Sequence, residues 1–173
     1  MLRKRNGKWG RMENAKNTFY VTLRNRLAVV NPERTVVIRG LVRPGILVEE
    51  NEVVAAALPP NVFVLRWTKT LADPALPMTL AQMECEIVYA TDGNADNAGM
   101  DRGRMLAAMD AELVVMLVPN SAVKTNYAVS PSVAMQTSVF WSNAVYEPVK
   151  VNHERLERVA TVQVFSYQEP GEL

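Results

Sequence analysis

The sequence is poor in the residues that most often carry chemistry. Cys85 is the only cysteine and His153 the only histidine among 173 residues. A lone thiol excludes an intramolecular disulfide, and one His with one Cys falls short of the four ligands of a structural zinc site. This favours a reducing compartment. No stretch approaches the roughly 20 consecutive apolar residues needed to cross a bilayer. The basic opening MLRKRNGKWGR has no apolar core behind it, so a secretory signal is not supported. Charge of one sign is also missing: 19 Lys and Arg stand against 18 Asp and Glu, a net charge of +1. No global field recruits nucleic acid or an anionic membrane.

What is present suits a globular chain. With 49% apolar and 21% charged residues, it can bury one sizeable core, and its length fits a single domain spanning 12–173 behind a basic arm at 1–11. The small net charge hides a polarity along the chain. Arg3, Lys4, Arg5, Lys8, Arg11 and Lys16 face only Glu13. The first sixteen residues are therefore formally +5 and, from the total of +1, the remainder is −4. Such an arm can meet an acidic protein surface or nucleic-acid phosphates, or fray into solvent.

Met12, Ala15, Phe19, Leu23, Leu27 and Val30 recur every three or four positions and predict an amphipathic helix that ends at Asn31-Pro32. The β-branched Thr35–Val42 predicts one strand, closed by Arg43-Pro44-Gly45. Residues 43–61 read as a protruding segment, because Glu49, Glu50 and Glu52 separate two short apolar runs before Pro59-Pro60. Val62–Thr68 is a second strand and Leu71–Thr79 a connection. From Leu80 to Thr91, Met83, Cys85, Ile87 and Tyr89 alternate with Gln82, Glu84 and Glu86, as in an antiparallel strand with one wet face. A turn at Asp92–Asn97 leads to a helix from Met100 to Leu117, capped by Asp96, Asn97 or Asp101. Gly103 inside it is either a site of close backbone approach or a tolerated glycine. Strands follow at Val133–Trp141, Ala144–Val151 and Leu156–Tyr167. In the last, neither alternating set is wholly polar, so both faces should be covered, by helices on one side and by a partner subunit on the other. The fold class is α+β, a mainly antiparallel sheet packed with an N-terminal and a central helix.

The common catalytic signatures are missing: no dinucleotide-binding glycine fingerprint, phosphate-binding loop, nucleophile elbow or zincin helix. Cys85, on the apolar face of its strand, reads as a small buried hydrophobe, and His153 as a solvated turn residue. Glu84 and Glu86 lie roughly 7 Å apart on one strand face, a spacing open to acid/base work, yet they read better as carboxylates facing basic side chains. Asp92, Asn94 and Asp96 alternate as a calcium loop begins, but the glycine and glutamate that complete one are missing, and helix capping explains them. The nine methionines are adaptable core filler. No enzyme chemistry, cofactor or metal is expected.

Four stretches carry a resemblance in order and spacing: NTFYVTLRNRLAVVNPERTVVIRG, MECEIVYATDG, GMDRGRMLAAMDAELVVML and VATVQVFSYQE. Over roughly Met12 to Tyr167 the chain resembles the tail terminator proteins of long-tailed bacteriophages and related contractile particles. The resemblance implies a small α+β virion subunit without catalytic residues. It would form a homo-oligomeric ring, a hexamer, that caps the tail tube and joins it to the head connector. Such a protein assembles in the host cytoplasm and resides in the tail or neck. The implied partners are copies of itself, tail-tube and connector proteins, and possible lumenal DNA without sequence specificity, with no membrane. Val162 and Val164 on the last strand and Glu49, Glu50 and Glu52 in the protruding segment are the expected contact residues, with the basic arm for axial docking. The alternative is a small-ligand-binding module with a pocket lined by Trp67, Tyr89, Phe140 and Trp141.

Overall fold

Phe19, Leu23 and Leu27 do form one helical stripe. In a computed structural model, which describes residues 12–52, 57–75 and 77–172, helix α1 (Glu13–Val30) buries Ala15, Thr18, Phe19, Leu23 and Leu27. Its end lies where Pro32 requires it: the Asn31 N–H closes the last turn on the Leu27 carbonyl at 2.8 Å, and the chain leaves in a non-helical conformation.

The next segment departs from expectation. Thr35–Val42 is not one strand but most of a hairpin, β1 (Thr35–Ile38) and β2 (Leu41–Pro44), with Val37 opposite Val42. Arg39 and Gly40 form the turn, with φ of +50° and +80°. Positive φ at both central positions is the hairpin turn whose twist matches its strands, and only Gly adopts it without steric cost. After Gly45 comes β3 (Ile46–Val48), parallel to β4 (Phe63–Asp73). Its three residues are buried, so the segment beginning at 43 does not protrude here; an apolar Ile-Leu-Val run is covered on both faces. A Cβ at Gly45 would come within 3.1 Å of the Arg34 carbonyl oxygen, which the Gly45 N–H bonds at 2.8 Å. The four-residue helix α2 (Glu49–Glu52) follows.

β4 continues through Leu71 to Asp73, leaving a shorter connection than expected before β5 (Leu80–Thr91). A 3₁₀ turn at Ala95–Asn97 leads to α3 (Arg102–Met116), which buries Leu106, Met109, Leu113 and Met116. Asp101 stands at its start without capping it; its Oδ1 accepts the Asn94 N–H instead, at 2.9 Å. An added Cβ at Gly103 would meet nothing within 4 Å, so this is a tolerated glycine with no close approach.

The stretch between Val118 and Ser132, where the sequence pattern predicts no strand, holds β6 (Ser121–Asn126), which pairs with β7 (Val133–Trp141). The expected strand at Ala144–Val151 divides into β8 (Val145–Tyr146) and β9 (Lys150–Asn152), because Pro148 has no N–H for the ladder. Both lie against β10 (Arg155–Tyr167), whose other edge pairs with β5 from Leu156–Thr91 to Tyr167–Leu80. The main sheet runs β3-β4-β5-β10-β7-β6, antiparallel apart from β3 with β4. The fold is α+β.

Both long helices lie on one face of this sheet. Between them and the strands Phe19 meets the rings of Trp67 and Trp141 edge-on, at centroid distances of 5.9 and 5.2 Å. The Trp141 indole N–H donates to the Leu117 carbonyl at 2.9 Å. On the opposite face a smaller cluster, Leu47, Val62 and Val64, is covered by Val36 and Ile38 of the hairpin.

Candidate interaction surface

The alternation in β10 separates two faces with different environments. Ala160, Val162, Val164 and Ser166 point at the helices and are fully buried. Thr161, Gln163, Phe165 and Tyr167 point outward and remain partly exposed. Val162 and Val164 therefore belong to the chain's own core, which corrects the expectation that they meet a neighbour: the helices cover the aliphatic set, and the mixed set is left for solvent or a partner.

That outer face is divided into rows. Across β5 and β10 the carboxylate of Glu84 accepts hydrogen bonds from the Gln163 amide at 2.9 Å and the Thr68 hydroxyl at 2.8 Å. Lys69 Nζ lies 3.7 Å away. The amide and hydroxyl bonds, with Lys69 adding to them, hold the Glu84 carboxyl below its usual range. Glu86, two residues on, has Arg66 at 3.9 Å. The two carboxylates thus face basic side chains, each with its own partners. The next rows carry the aromatic side chains, with Gln82 and Asp73 among them. Phe165 stacks on Phe140 of β7 at 5.9 Å, with Tyr167 at 6.4 Å from the same ring. Leu71 lies in register with Gln82 and so with Phe165, and it is 63% exposed. Asp73 lies in register with Leu80, itself opposite Tyr167. Of these outward aromatics the sequence pattern offers Phe165 and Tyr167 as one half of the β10 alternation and Phe140 as part of an expected pocket, not as one surface row.

A second apolar surface belongs to the hairpin. Val36 and Ile38 pack on the cluster at Leu47, Val62 and Val64. From the position paired with Val36, Arg43 reaches the Tyr20 hydroxyl at 2.7 Å and the Glu52 carboxylate. Tyr20 belongs to α1, on the helical side of the sheet. The hairpin therefore straddles the β3 edge, and its far side, carrying the Val37–Val42 pair, points away from the sheet. Val37 and Val42 are 63% and 69% exposed, and Leu41 beside the turn 70%. A β-branched run on both sides of an Arg-Gly step was the signal available for this hairpin.

The acidic helix serves internal contacts. Glu49 takes two hydrogen bonds from Arg66, at 2.6 and 3.0 Å. Glu52 joins Arg43 and accepts the Val48 N–H at 3.0 Å. Only Glu50 of the three is exposed. The arm residues Arg3, Lys4, Arg5, Lys8 and Arg11 lie outside the described residues. Lys16 lies within them, 3.9 Å from Glu13 and over the Trp67 ring at 5.5 Å.

The remaining chemical candidates are structural. Burial pushes the Cys85 thiol well above its ordinary pKa, so it is held as an unreactive thiol. His153 is an exposed turn residue with φ +55°. Asp92 is clamped by Arg155 at 2.7 and 3.0 Å, and Asn94 caps the Asp96 N–H at 2.9 Å. Among the described residues no three His, Cys, Asp or Glu side chains converge as metal ligands. The four aromatics of the expected ligand pocket do not share a cavity. Tyr89 and Trp141 are buried in the core, whereas Phe140 occupies the other face of β7 from Trp141. No helix among the described residues is long and apolar enough to cross a membrane. No family model matches the chain, and no curated protein matches its sequence.

Proposed function

We propose that this chain is the subunit of a closed homo-oligomeric ring of the tail-terminator or neck type, a structural protein that caps a phage tail tube and joins it to the head connector. The observation carrying this reading is that the described residues of one α+β chain leave two unlike apolar surfaces uncovered. One is the aromatic row on the outer sheet face, the other the valine pair on the hairpin. A ring subunit needs two different flanks, because a repeated rotation brings one flank of each copy to the other flank of the next. The order of elements that prompted the resemblance supports the particular kind of ring. In this reading tail-tube and connector proteins meet the ring axially, with the basic arm placed against an acidic protein surface or lumenal DNA, and the protein resides in the virion.

Light scattering on the purified protein tests the reading. The expected result is a discrete particle of six times the 19.3 kDa chain mass. A monomer at every concentration defeats it.

A further inference from the structure

The hairpin is anchored by its inner side, where Val36 and Ile38 pack on the cluster at the β3 edge, while its outer side leaves Val37 and Val42 at 63% and 69% exposure. At its turn Arg39 is exposed and has no carboxylate partner among the described residues. The outer sheet face offers the complement. Phe140, Phe165 and Tyr167 form an apolar strip, with Leu71 beyond Gln82 in the Phe165 row, and at its margin stands Asp73, an exposed carboxylate whose one hydrogen bond among the described residues is to the Ala75 N–H at 2.9 Å. The hairpin surface points away from an edge of the sheet and the strip away from its face. Two patches of one chain that differ in composition and direction can meet reciprocally across a two-fold axis, which ends at a dimer, or head to tail, which propagates and closes into a ring when the rotation permits; the ring reading takes the second.

We infer that the β1-β2 hairpin of one copy docks on the outer sheet face of the next, with Val37 and Val42 against Phe140, Phe165 and Tyr167 and Arg39 directed at Asp73. This rests on the ring reading and specifies its lateral contact. The occupant is a second copy because both halves of the match, apolar pair to aromatic strip and a cation and an anion that have no ion-pair partner among the described residues, are present on the same polypeptide. Opposite charges at the margin fix the register, while the buried apolar contact provides most of the attraction.

Thiol cross-linking tests it. Val42→Cys and Ser138→Cys are small changes at exposed positions, the second on the outer face two residues from Phe140, and the native Cys85 is buried. With a short bismaleimide, the double variant V42C/S138C is expected to give a ladder of covalent multimers up to the ring, and neither single variant a covalent dimer. Dimers from V42C alone would reveal a symmetric hairpin contact and overturn the inference. A particle of ring mass that yields no ladder overturns the docking while leaving the ring reading standing; a protein that stays monomeric overturns both. Charge exchange gives an independent measurement. Arg39→Asp should raise the concentration for half-assembly by roughly tenfold, and R39D/D73R should restore it. Failure of the exchange to restore assembly rejects the Arg39–Asp73 register.

Discussion

Lys124 and Glu172, 48 positions apart, form an ion pair closed off from solvent, with Nζ 2.7 Å from Oε2 and side-chain exposures of 0% and 3%. Lys124 also donates to the Tyr167 carbonyl at 2.6 Å. Glu172 accepts the Glu169 N–H at 2.8 Å and the Asn14 amide at 3.2 Å. The pair thus fastens the segment after β10 to β6 and to the start of α1. Removing one partner leaves a buried charge without its counter-ion. Lys124→Met should destabilise the protein by about 3–5 kcal/mol, and K124M/E172L should recover a large part of that loss. Urea denaturation of the three variants checks this; additive losses would show that the pair is not coupled.

The two faces of the sheet should respond oppositely to the same kind of substitution. Val162→Asp places a carboxylate in the core and should unfold or severely destabilise the chain, by several kcal/mol on the order set by burying an unpaired charge. Phe140→Asp, at a position 36% exposed on the outer face, should keep the circular dichroism spectrum and abolish self-association. A V162D protein with unchanged melting would contradict the burial assigned to that face.

Tyr89 should remain protonated for as long as the protein is folded. Burial, with a 2.5 Å hydrogen bond to the Asp110 carboxylate that Arg158 also holds, pushes its phenol well above the ordinary 10.0. A raised folded value means that the folded state keeps a proton the unfolded chain releases, so this contribution is intact below pH 10.0 and is lost as pH climbs above it. Phenolate absorbance should show a component that appears together with loss of the circular dichroism signal and is missing in Tyr89→Phe.

Acid should act through the clamped carboxylates. The Arg155 bonds hold Asp92 below its ordinary 3.8, and the Arg66 bonds hold Glu49 below 4.5. Depressed folded values give stability that is present above those ordinary values and lost as pH falls through the folded ones. Thermal melting should therefore decline from pH 4.5 downward, and Asp92→Asn should lower the melting temperature at neutral pH while flattening the acid slope. An unchanged slope in that variant would remove Asp92 from the account.

Deletion of residues 2–11 should leave melting of the body unchanged, since no apolar periodic position precedes Met12, and, if the proposed tail-terminator role holds, should weaken joining to a tail tube or connector. Steeply salt-dependent binding of the intact protein to any DNA, lost on deletion, would identify phosphates as the arm's partner. Normal particle yield with the deleted protein would leave the arm without an assembly role.

Those parts of the fold with a strong period were legible. The three-and-four spacing from Met12 to Leu27, the strict alternation from Leu80 to Thr91 and the helical stripe from Leu106 to Met116 each report a side chain's environment through its position on a regular element. Short and weakly patterned elements were not. The Arg39-Gly40 turn lacks the Asn or Asp that announces most tight hairpins, so β1 and β2 read as one strand. Three apolar residues such as Ile46–Val48 have no measurable period, and β6 lay in a stretch of polar and small residues. Of the candidate contact residues, the glutamates were found as a cluster, but Glu49 and Glu52 turned out to serve Arg66 and Arg43, 17 and 9 positions away.

The amino-acid sequence by itself determined the fold class, the two long helices, the β5 strand and the absence of the common catalytic motifs, because these follow from local periodicity and residue chemistry. Only the tertiary structure decided which alternate set of β10 is core. Thr161, Gln163, Phe165 and Tyr167 hold more side-chain carbon than Ala160, Val162, Val164 and Ser166 but also more polar atoms, so hydrophobicity along the strand does not choose between them. The choice is made by α1 and α3, which lie on one face only and bury the set beneath them. That one-sided cover leaves Phe165 and Tyr167 outside, although they come from the same thirteen residues as the buried valines.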